Sequence, residues 1–487
     1  MAVSARYGYV RDELYFLSAG RHLAFGYVDQ PPLTPLLARV TTALTGGTLA
    51  GFRILPALGL AALVAMTAAM SRHLGAGRTG QLLAAVAAAT CAQYLGAMHE
   101  LTTTTPDFVF WALTLLMVMR LLASQDPRWW VAVGGCAGVA SEAKWNIGFL
   151  LAALTAGFLL TDARRLLASR YLLLGGLIAA ALAAPDVIWQ ATHGWPGLDV
   201  FRVLQTAAGH NRAVFWPAQL FYTGVVLTPV WVAGAVWSLR SAAARPFRPL
   251  AIACVAVIAL QFVLGGKAYY PGAAFTFLLA AGCVPLERRL AARTSRARAA
   301  RAPRAWAGRA RRITPAILAG AAMVAGAVLS APVVLPVLPA RTLHTVPLQK
   351  INYDLGEEIA WPRLVALIAR EYDARPAALR QRITILAGNY GEAGAIDRYG
   401  PGYGLPGVYS GANSFWLWGP PPAADSAAIA VNVDPALLRR EFAHVRQIAT
   451  FWNGLGVDDD EQGAPVFLAT GLRSSWSQAW PAFRDYA

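Results

Sequence analysis

Charged residues are scarce in this chain of 487 residues, and this scarcity excludes an ordinary soluble protein. Only 14% of the residues are charged and 56% are hydrophobic, whereas a soluble domain has roughly 25% charged residues. Apolar runs long enough to cross a bilayer recur between residues 49 and 339. The composition therefore predicts a polytopic, mainly α membrane protein.

Cysteine and lysine are also rare. The four cysteines, Cys91, Cys136, Cys254 and Cys283, all fall in apolar runs without metal-binding spacing, so they predict neither disulfides nor metal ligands. The three lysines leave arginine to supply most of the net charge of +16. This charge is concentrated in short loops between apolar runs, above all in residues 287–312, which favours a membrane anchor and argues against a nucleic-acid partner.

Ten candidate spans can be read from the apolar runs, and they divide the chain into three parts. Residues 1–48 are predicted to form a first extracytoplasmic loop with amphipathic helices, residues 49–339 the membrane domain, and residues 340–487 an extracytoplasmic α/β domain. The spans are predicted at about 49–71, 79–98, 106–123, 128–142, 145–162, 171–190, 215–238, 249–265, 270–285 and 313–338.

Basic loops alternate along the chain and set the orientation. Under the positive-inside rule they are cytoplasmic, which places residues 1–48 and everything after residue 339 outside. The segment MAVSA is neither the charged nor the apolar region of an export signal. Either this segment is translocated as a short tail, or a further span lies upstream of this sequence; the second is the expectation that we favour.

The C-terminal part has a different sequence period. Buried strands are predicted at 383–388, 427–433 and 465–471, and helices at WPRLVALIAREY and PALLRREFAHV. The segment after the first strand is dense in Gly, Tyr and Trp. It could form a sugar-contacting loop, because aromatic rings offer flat stacking faces, or an ordinary turn-rich lid.

Ionisable residues cluster at the loops predicted to face outward. Such residues are costly at membrane depth and often line a cavity. A cavity that holds acids and two lysines is suited to bind an anionic lipid headgroup together with an acceptor that carries a hydroxyl. A carboxylate can remove the proton of the acceptor, and the cations can stabilise the leaving phosphate. Taken singly, each could instead be a cap, a solvated loop acid or a membrane anchor. The cluster comprises Asp12, Glu13, Asp29, His99, Glu100, Asp107, Lys144, Asp186, His193 and Lys267.

Several motifs together resemble a known family. RDELYF, GYVDQPPLTPLLARV, FRILPAL, TTTTPDFVFWAL and GGKAYYPG resemble the GT-C glycosyltransferases that use polyprenyl-phosphate sugars. The similarity is closest to glycosyltransferase family 39, which includes relatives of the protein O-mannosyltransferases and of the lipid A aminoarabinose transferase.

The resemblance implies a role for each matching residue. Asp12 and Glu13 match the Asp-Glu motif of the first outer loop, whose Asp is the expected base, and Asp107 matches a second-loop acid; these three are the predicted catalytic residues. The predicted substrate-binding residues are Asp29, Lys144, Lys267, Tyr269 and Tyr270.

The implied activity is transfer of one sugar from a polyprenyl-phosphate donor to an acceptor hydroxyl, with inversion. The sugar and the glycan, lipid or protein acceptor are not determined by the sequence. No cofactor is expected, because the lipid-linked donor is a substrate, and the sequence leaves a divalent metal open. A transporter or lipid flippase is the main alternative, although no inverted repeat is evident; a non-catalytic membrane protein that presents its outer domain to a partner is another.

Overall fold

The computed structural model describes residues 2–299 and 315–486. The predicted basic loop at 287–312 therefore lies partly outside the described residues. Residues 2–299 are mainly helical and also contain short 3₁₀ turns. Its helices are α1 (Arg11–Ala19), α2 (Leu33–Thr45), α3 (Leu49–Phe52), α4 (Ile54–His73), α5 (Arg78–Ala89), α6 (Ala92–Ala97), α7 (Thr104–Ser124), α8 (Trp129–Ser141), α9 (Ile147–Leu159), α10 (Arg170–Thr192), α11 (Pro196–Thr206), α12 (Ala208–Thr223), α13 (Thr228–Arg240), α14 (Arg248–Leu264) and α15 (Ala274–Ala299).

Several helical segments are long and apolar enough to cross a membrane. In the described part of the chain, five pass by length and composition, and a bent pair, α12 with α13, could form a sixth crossing. The five are Leu49–His73, Thr104–Ser124, Arg170–Thr192, Ala242–Leu264 and Pro315–Val334, the last being helix α16. The chain is thus a multi-pass membrane protein.

Some predicted spans are not continuous helices. The run 215–238 bends by 102° between α12 and α13, where Gly224 takes a φ of +89° that ends the first helix. The run 79–98 is divided into α5 and α6. The runs 128–142 and 145–162 form α8 and α9, which have only 13 residues each and fall short of the usual span length.

The C-terminal domain is an α/β unit with one five-stranded sheet, in the order β2-β1-β3-β5-β4. β1 lies parallel to β2 and β3, whereas β5 lies antiparallel to β3 and β4. Its elements are α17 (Asp354–Glu357), α18 (Trp361–Asp373), α19 (Ala377–Arg380), β1 (Ile383–Ala387), α20 (Tyr390–Tyr399), β2 (Val408–Ser410), α21 (Ser414–Leu417), β3 (Ala427–Val431), α22 (Pro435–Glu441), β4 (Phe442–Thr450), β5 (Pro465–Leu472) and α23 (Trp476–Ala479).

The fold class predicted from the sequence is confirmed, with one local error. All three predicted strands are present, and WPRLVALIAREY is α18. The predicted helix PALLRREFAHV ends early, at Glu441, and its last four residues begin strand β4. These residues pair with β5, and this sheet contact overrides the local helical pattern.

Helix α1 joins the two parts of the molecule. It packs against α20 of the C-terminal domain, and residues of both helices belong to one buried cluster with Trp361 and Phe415. The packing is close, because a Cβ atom on Gly394 would lie 2.7 Å from the backbone carbon of Leu14. The segment rich in Gly, Tyr and Trp is therefore largely ordered as α20, β2 and α21, and part of it covers α1.

Candidate functional site

Asp12 and Glu13 are neighbours on α1, and their side chains lie in different surroundings. Successive residues of a helix project about 100° apart. Asp12 is partly exposed, and its carboxylate accepts a hydrogen bond of 3.0 Å from the hydroxyl of Tyr390. The predicted base therefore faces α20 across a space that remains open to solvent.

Glu13 is fully buried and its oxygens are occupied. They accept hydrogen bonds from the guanidinium of Arg53 at 2.6 Å and from the backbone N–H groups of Val10 and Leu101 at 3.1 and 3.0 Å. These bonds fix the start of α1 to the membrane helices. The catalytic role predicted for Glu13 stays a prediction, and its surroundings are those of a positioning residue.

Arg53 is the centre of this buried network. It also donates to the carbonyl oxygens of Ser4 and Gly8, each at 2.9 Å. Nε2 of His99 lies 2.9 Å from its Nη1. Burial and the charge of Arg53 lower the pKa of His99 to about 3, so the imidazole is neutral and accepts from the guanidinium. We call Glu13, Arg53 and His99 the anchor network.

Asp29 lies near Asp12 and is joined to the C-terminal domain. Its carboxylate accepts a hydrogen bond of 2.7 Å from the hydroxyl of Tyr15 and a longer one, 3.4 Å, from the side-chain amide of Asn413. Burial raises its pKa to about 7, and the charge of Asp12 contributes. The acid can thus change its protonation state near neutral pH.

Asp107 is buried at the start of α7 and reaches the 265–273 loop through Asn146. The amide nitrogen of Asn146 lies 3.4 Å from Oδ2 of Asp107 and 3.1 Å from the carbonyl oxygen of Tyr270. The other oxygen, Oδ1, is buried without a hydrogen-bond partner. Asn146 was not identified from the sequence, although it stands two residues after Lys144.

Lys144 lies against both predicted tyrosines. Its Nζ atom is 4.5 Å from the ring centroid of Tyr270 and 5.3 Å from that of Tyr269, within the range of cation–π attraction. No carboxylate lies within salt-bridge distance of Lys144 in the described part of the chain. Its charge is thus held beside aromatic rings, and the three predicted residues share one location.

Tyr269 is within electrostatic reach of both basic and acidic side chains of the site. Burial raises its pKa; the charge of Lys144 opposes this rise, and Tyr270, Asp12 and Asp354 add to it. These groups are thus close enough to interact through the ring hydroxyl. The contacts of Lys144 with both rings join the 142–146 loop to the 265–273 loop. The charges of Asp12 in the first loop and Asp354 at the start of the C-terminal domain act on the same tyrosine.

Asp354 is the main residue that the sequence reasoning missed. Burial raises its pKa to about 6; the charge of Asp12 adds to the rise, and Lys267 and then Arg11 oppose it. The side chain is nevertheless exposed, as is that of Lys267. The carboxylate of Asp354 is thus accessible and lies within electrostatic reach of charges from the first loop and the 265–273 loop. The accessible region between these charges is called the cleft. We call Asp12, Lys144, Lys267, Tyr269 and Asp354 the cleft group.

The C-terminal domain closes one side of this cleft. The guanidinium of Arg11 lies 4.9 Å from the ring centroid of Tyr390 and 2.6 Å from both Asp460 and the hydroxyl of Tyr353. Asp460 also accepts a hydrogen bond from Tyr353. The only sequence signal for these contacts was the polar composition after residue 339.

Within 2–299 and 315–486, no group of three or more His, Cys, Asp and Glu side chains is placed to hold a metal ion. The acids of the cleft are instead accompanied by lysines and tyrosines. This composition suits an anionic group beside a proton acceptor.

Comparison with known proteins supports the fold. The model of the family described as dolichyl-phosphate-mannose-protein mannosyltransferase matches residues 29–189, a range that contains Asp29, Asp107 and Lys144. A search of curated proteins gave no match.

Solved structures match over a larger part of the chain. ArnT from Cupriavidus metallidurans in the apo state has a TM-score of 0.56 at 14% identity, with 95% of this chain and 94% of that chain covered. The same protein bound to undecaprenyl phosphate gives 0.54, with the same identity and coverage. The Archaeoglobus fulgidus oligosaccharyltransferase in the apo form gives 0.47 at 13% identity, with 80% of this chain and 60% of that chain covered.

At these identities the shared property is the fold. The ArnT matches extend over both the membrane helices and the C-terminal domain. The fold that the resemblance of the sequence motifs implied is thereby confirmed: the chain has an ArnT-like GT-C fold.

Proposed function

We propose that this protein transfers a sugar from a polyprenyl-phosphate donor to an acceptor hydroxyl on the extracytoplasmic side of the membrane. The observations that carry the proposal are the contact of Lys144 with the rings of Tyr269 and Tyr270, at 5.3 and 4.5 Å from their centroids, and the partly exposed carboxylate of Asp12, which accepts a hydrogen bond from Tyr390. The ArnT-like fold supports it. The side of the membrane is inferred from the basic loops, which the positive-inside rule places in the cytoplasm.

The proposed reaction is a single displacement. Asp12 takes the proton of the acceptor hydroxyl as its oxygen forms a bond to the anomeric carbon, and the bond from that carbon to the phosphate oxygen breaks. Polyprenyl phosphate leaves with the electron pair, and the configuration at the anomeric carbon inverts. The donor carries its own activation, so the proposal needs no nucleotide cofactor.

The lysines have a separate role in this mechanism. Negative charge develops on the leaving phosphate, and a cation held in a partly desolvated site stabilises it. Lys144 lies against two aromatic rings, and Lys267 is exposed in the cleft beside Asp354. We assign both lysines to the phosphate, Asp29 and Asp107 to the orientation of the acceptor, and Tyr269 and Tyr270 to the donor.

The test is a transfer and hydrolysis assay on the purified chain with a panel of undecaprenyl-phosphate sugars. Replacing Asp12 by Asn keeps the shape of the side chain and removes the carboxylate that is proposed to accept the proton. We expect the rate to fall by about 10²–10⁴-fold, the usual contribution of a general base, with little change in melting temperature. Asp458→Asn, at an exposed acid of the C-terminal domain, is the matched control and should keep the wild-type rate.

Two results would overturn parts of the proposal. Full transfer by Asp12→Asn would exclude this residue as the base. Failure of the wild type with every donor, combined with movement of the labelled lipid across a vesicle bilayer, would favour a flippase.

A further inference from the structure

The 265–273 loop, which carries Lys267, Tyr269 and Tyr270, is held through its backbone carbonyl groups. Five of its carbonyl oxygens accept a hydrogen bond from a side chain of another segment. In chain order, the bonds run from Asn211 to Gly265 at 2.9 Å, from Gln219 to Ala268 at 2.5 Å, from Gln93 to Tyr269 at 2.7 Å, from Asn146 to Tyr270 at 3.1 Å and from Tyr94 to Gly272 at 3.1 Å. We call the four amide side chains, Asn211, Gln219, Gln93 and Asn146, the amide cradle.

The donors of the amide cradle come from three separate parts of the chain. Gln93 lies on α6 and Gln219 on α12, whereas Asn146 directly precedes α9. A shift of the 265–273 loop would therefore break bonds to all three parts at once.

Two amides of the cradle leave their own oxygens unpaired. Gln93 and Gln219 are only 5% and 1% exposed, and Oε1 of each is buried without a hydrogen-bond partner in the described part of the chain. A buried polar atom without a partner costs free energy. An apolar side chain of similar size would fill the same space without this cost. Packing alone therefore does not account for the two glutamines, and what they add is the bond to a carbonyl of the loop.

The orientation of the Asn146 amide is fixed by a further amide. Gln261 of α14 donates a hydrogen bond of 2.9 Å to Oδ1 of Asn146. The nitrogen of Asn146 is thus the atom that faces the carbonyl oxygen of Tyr270 and the carboxylate of Asp107. Through this residue the cradle joins the loop to the buried acid at the start of α7.

The bonded carbonyl groups determine where an N–H group of the loop points. In a trans peptide, the C=O of one residue and the N–H of the next point in opposite directions. Because the carbonyl of Ala268 faces Gln219, the N–H of Tyr269 faces away from it. Among the described residues, the N–H groups of Lys267, Ala268 and Tyr269 have no hydrogen-bond acceptor. Successive free N–H groups of a turn attract an anion, and these stand beside a ring that contacts Lys144.

We propose that Gln93, Asn146 and Gln219 are positioning residues that hold the 265–273 loop for the phosphate of the donor. The cradle takes up the carbonyl groups and leaves the N–H of Tyr269 and the ammonium of Lys267 to a phosphate oxygen. Negative charge on that oxygen grows as the bond to the sugar breaks, so donors that are fixed in place stabilise the transition state more than the bound donor lipid. The inference rests on the proposed transfer reaction and adds residues that do not touch the substrate themselves.

The first experiment measures kcat and KM for transfer by the purified full chain. Gln93→Leu and Gln219→Leu each remove one donor to a loop carbonyl and nearly keep the side-chain volume. We expect kcat to fall by about 10–100-fold, because a displacement of about 1 Å near the reacting atoms can cost about 10²-fold, with little change in the KM of the acceptor. Gln81→Leu is the matched control, since the Gln81 amide donates 3.0 Å to the carbonyl of Ala76, outside the loop. It should keep the wild-type kcat.

A second measurement does not depend on transfer. Native mass spectrometry compares the retention of undecaprenyl phosphate with that of undecaprenol, which has the same chain and no phosphate. The wild type and Gln81→Leu should retain the phosphate preferentially. This preference should fall by about tenfold in Gln93→Leu and Gln219→Leu, as expected for the loss of one hydrogen bond to a charged group. A merely structural role would weaken the retention of both lipids equally.

The outcomes distinguish this inference from the proposed function. A wild type that transfers no sugar, but loses its preference for undecaprenyl phosphate in both Leu variants, would overturn the proposed function and support the cradle. Wild-type kcat and unchanged lipid preference in both variants, or equal loss of both lipids, would overturn the cradle alone. If a Leu variant does not fold, Gln93→Asn and Gln219→Asn make the same test, because a side chain shorter by one methylene withdraws the amide from the carbonyl.

Discussion

The ionisable groups on the two sides of helix α1 differ in solvent exposure: one set is buried and the other is accessible. On one side, the anchor network pairs Glu13 with Arg53, and both side chains have no exposed surface. On the other side, the cleft group keeps Asp12 and Lys267 accessible. Both sets contain acids and bases drawn from distant parts of the chain, yet only the second leaves its charges open to a substrate.

This difference shows how the same residue types are assigned to structure or to chemistry. When every hydrogen bond of a buried ion pair is made within the protein, no donor or acceptor is left to bind a ligand. Removing one partner of such a pair leaves an uncompensated buried charge. A carboxylate held by one tyrosine at the edge of a cleft can still accept a proton. Asp12 and Glu13 are adjacent and belong to one sequence motif, yet their expected roles differ: Asp12 is the proposed base and Glu13 is a buried positioning residue.

The largest expected effect on stability comes from breaking the anchor network. Arg53→Met leaves Glu13 buried without its cation, and we expect the free energy of unfolding to fall by about 3–5 kcal/mol. Thermal melting of the detergent-purified protein measures this change. Arg202→Met, at an exposed arginine, should melt like the wild type. Equal melting of the two variants would show that the network does not hold α1.

A smaller effect is expected where α1 meets α20. Gly394→Ala places a methyl group 2.7 Å from the backbone of Leu14, and such overpacking typically costs about 1–3 kcal/mol. Because the helix must shift, the transfer rate should fall together with the melting temperature. Gly402→Ala, where a Cβ meets no atom within 4 Å, should change neither quantity.

The cleft side can be altered with less effect on stability. Tyr390→Phe removes the hydroxyl that donates to Asp12, and the loss of one such bond is worth about 0.5–1.5 kcal/mol. We expect the transfer rate to fall by up to about tenfold, with a small change in melting temperature. Tyr403→Phe, at an exposed tyrosine, is the control. A rate equal to wild type would show that Tyr390 does not position the base.

The smallest effect is a change in pH dependence at Asp29. Its pKa rises from an ordinary 3.8 to about 7 in the folded protein, so its contribution to stability is full below pH 3.8 and is lost as the pH rises towards 7. Asp29→Asn cannot ionise. Between pH 5 and 8 the melting temperature of the wild type should therefore fall further than that of the variant, by about 3 °C given the protein's size.

The exposed acid Asp458 provides the reference for this measurement. Asp458→Asn should follow the wild-type curve over the same pH range. Parallel curves for wild type and Asp29→Asn would show that the burial of Asp29 does not affect its ionisation.

Local patterns in the sequence were sufficient for the elements of the fold. Long apolar runs predicted membrane helices, and short apolar runs within a more polar region predicted β1, β3 and β5 as buried strands. The motif residues Asp12, Lys144 and Lys267 could be named because short segments carry them. The bend at Gly224 and the end of α22 at Glu441 were missed, since a turn and a sheet contact decided them against an apolar or helical pattern.

The sequence by itself determined that this is a membrane protein with a C-terminal α/β domain and acids grouped in a few loops. Only the tertiary structure decided that Glu13 is enclosed by Arg53 and that Asp12 faces Tyr390 and Asp354. Tyr390 is 378 residues from Asp12 along the chain. Periodicity records which face of an element is buried, but which distant element covers that face depends on how the whole chain packs.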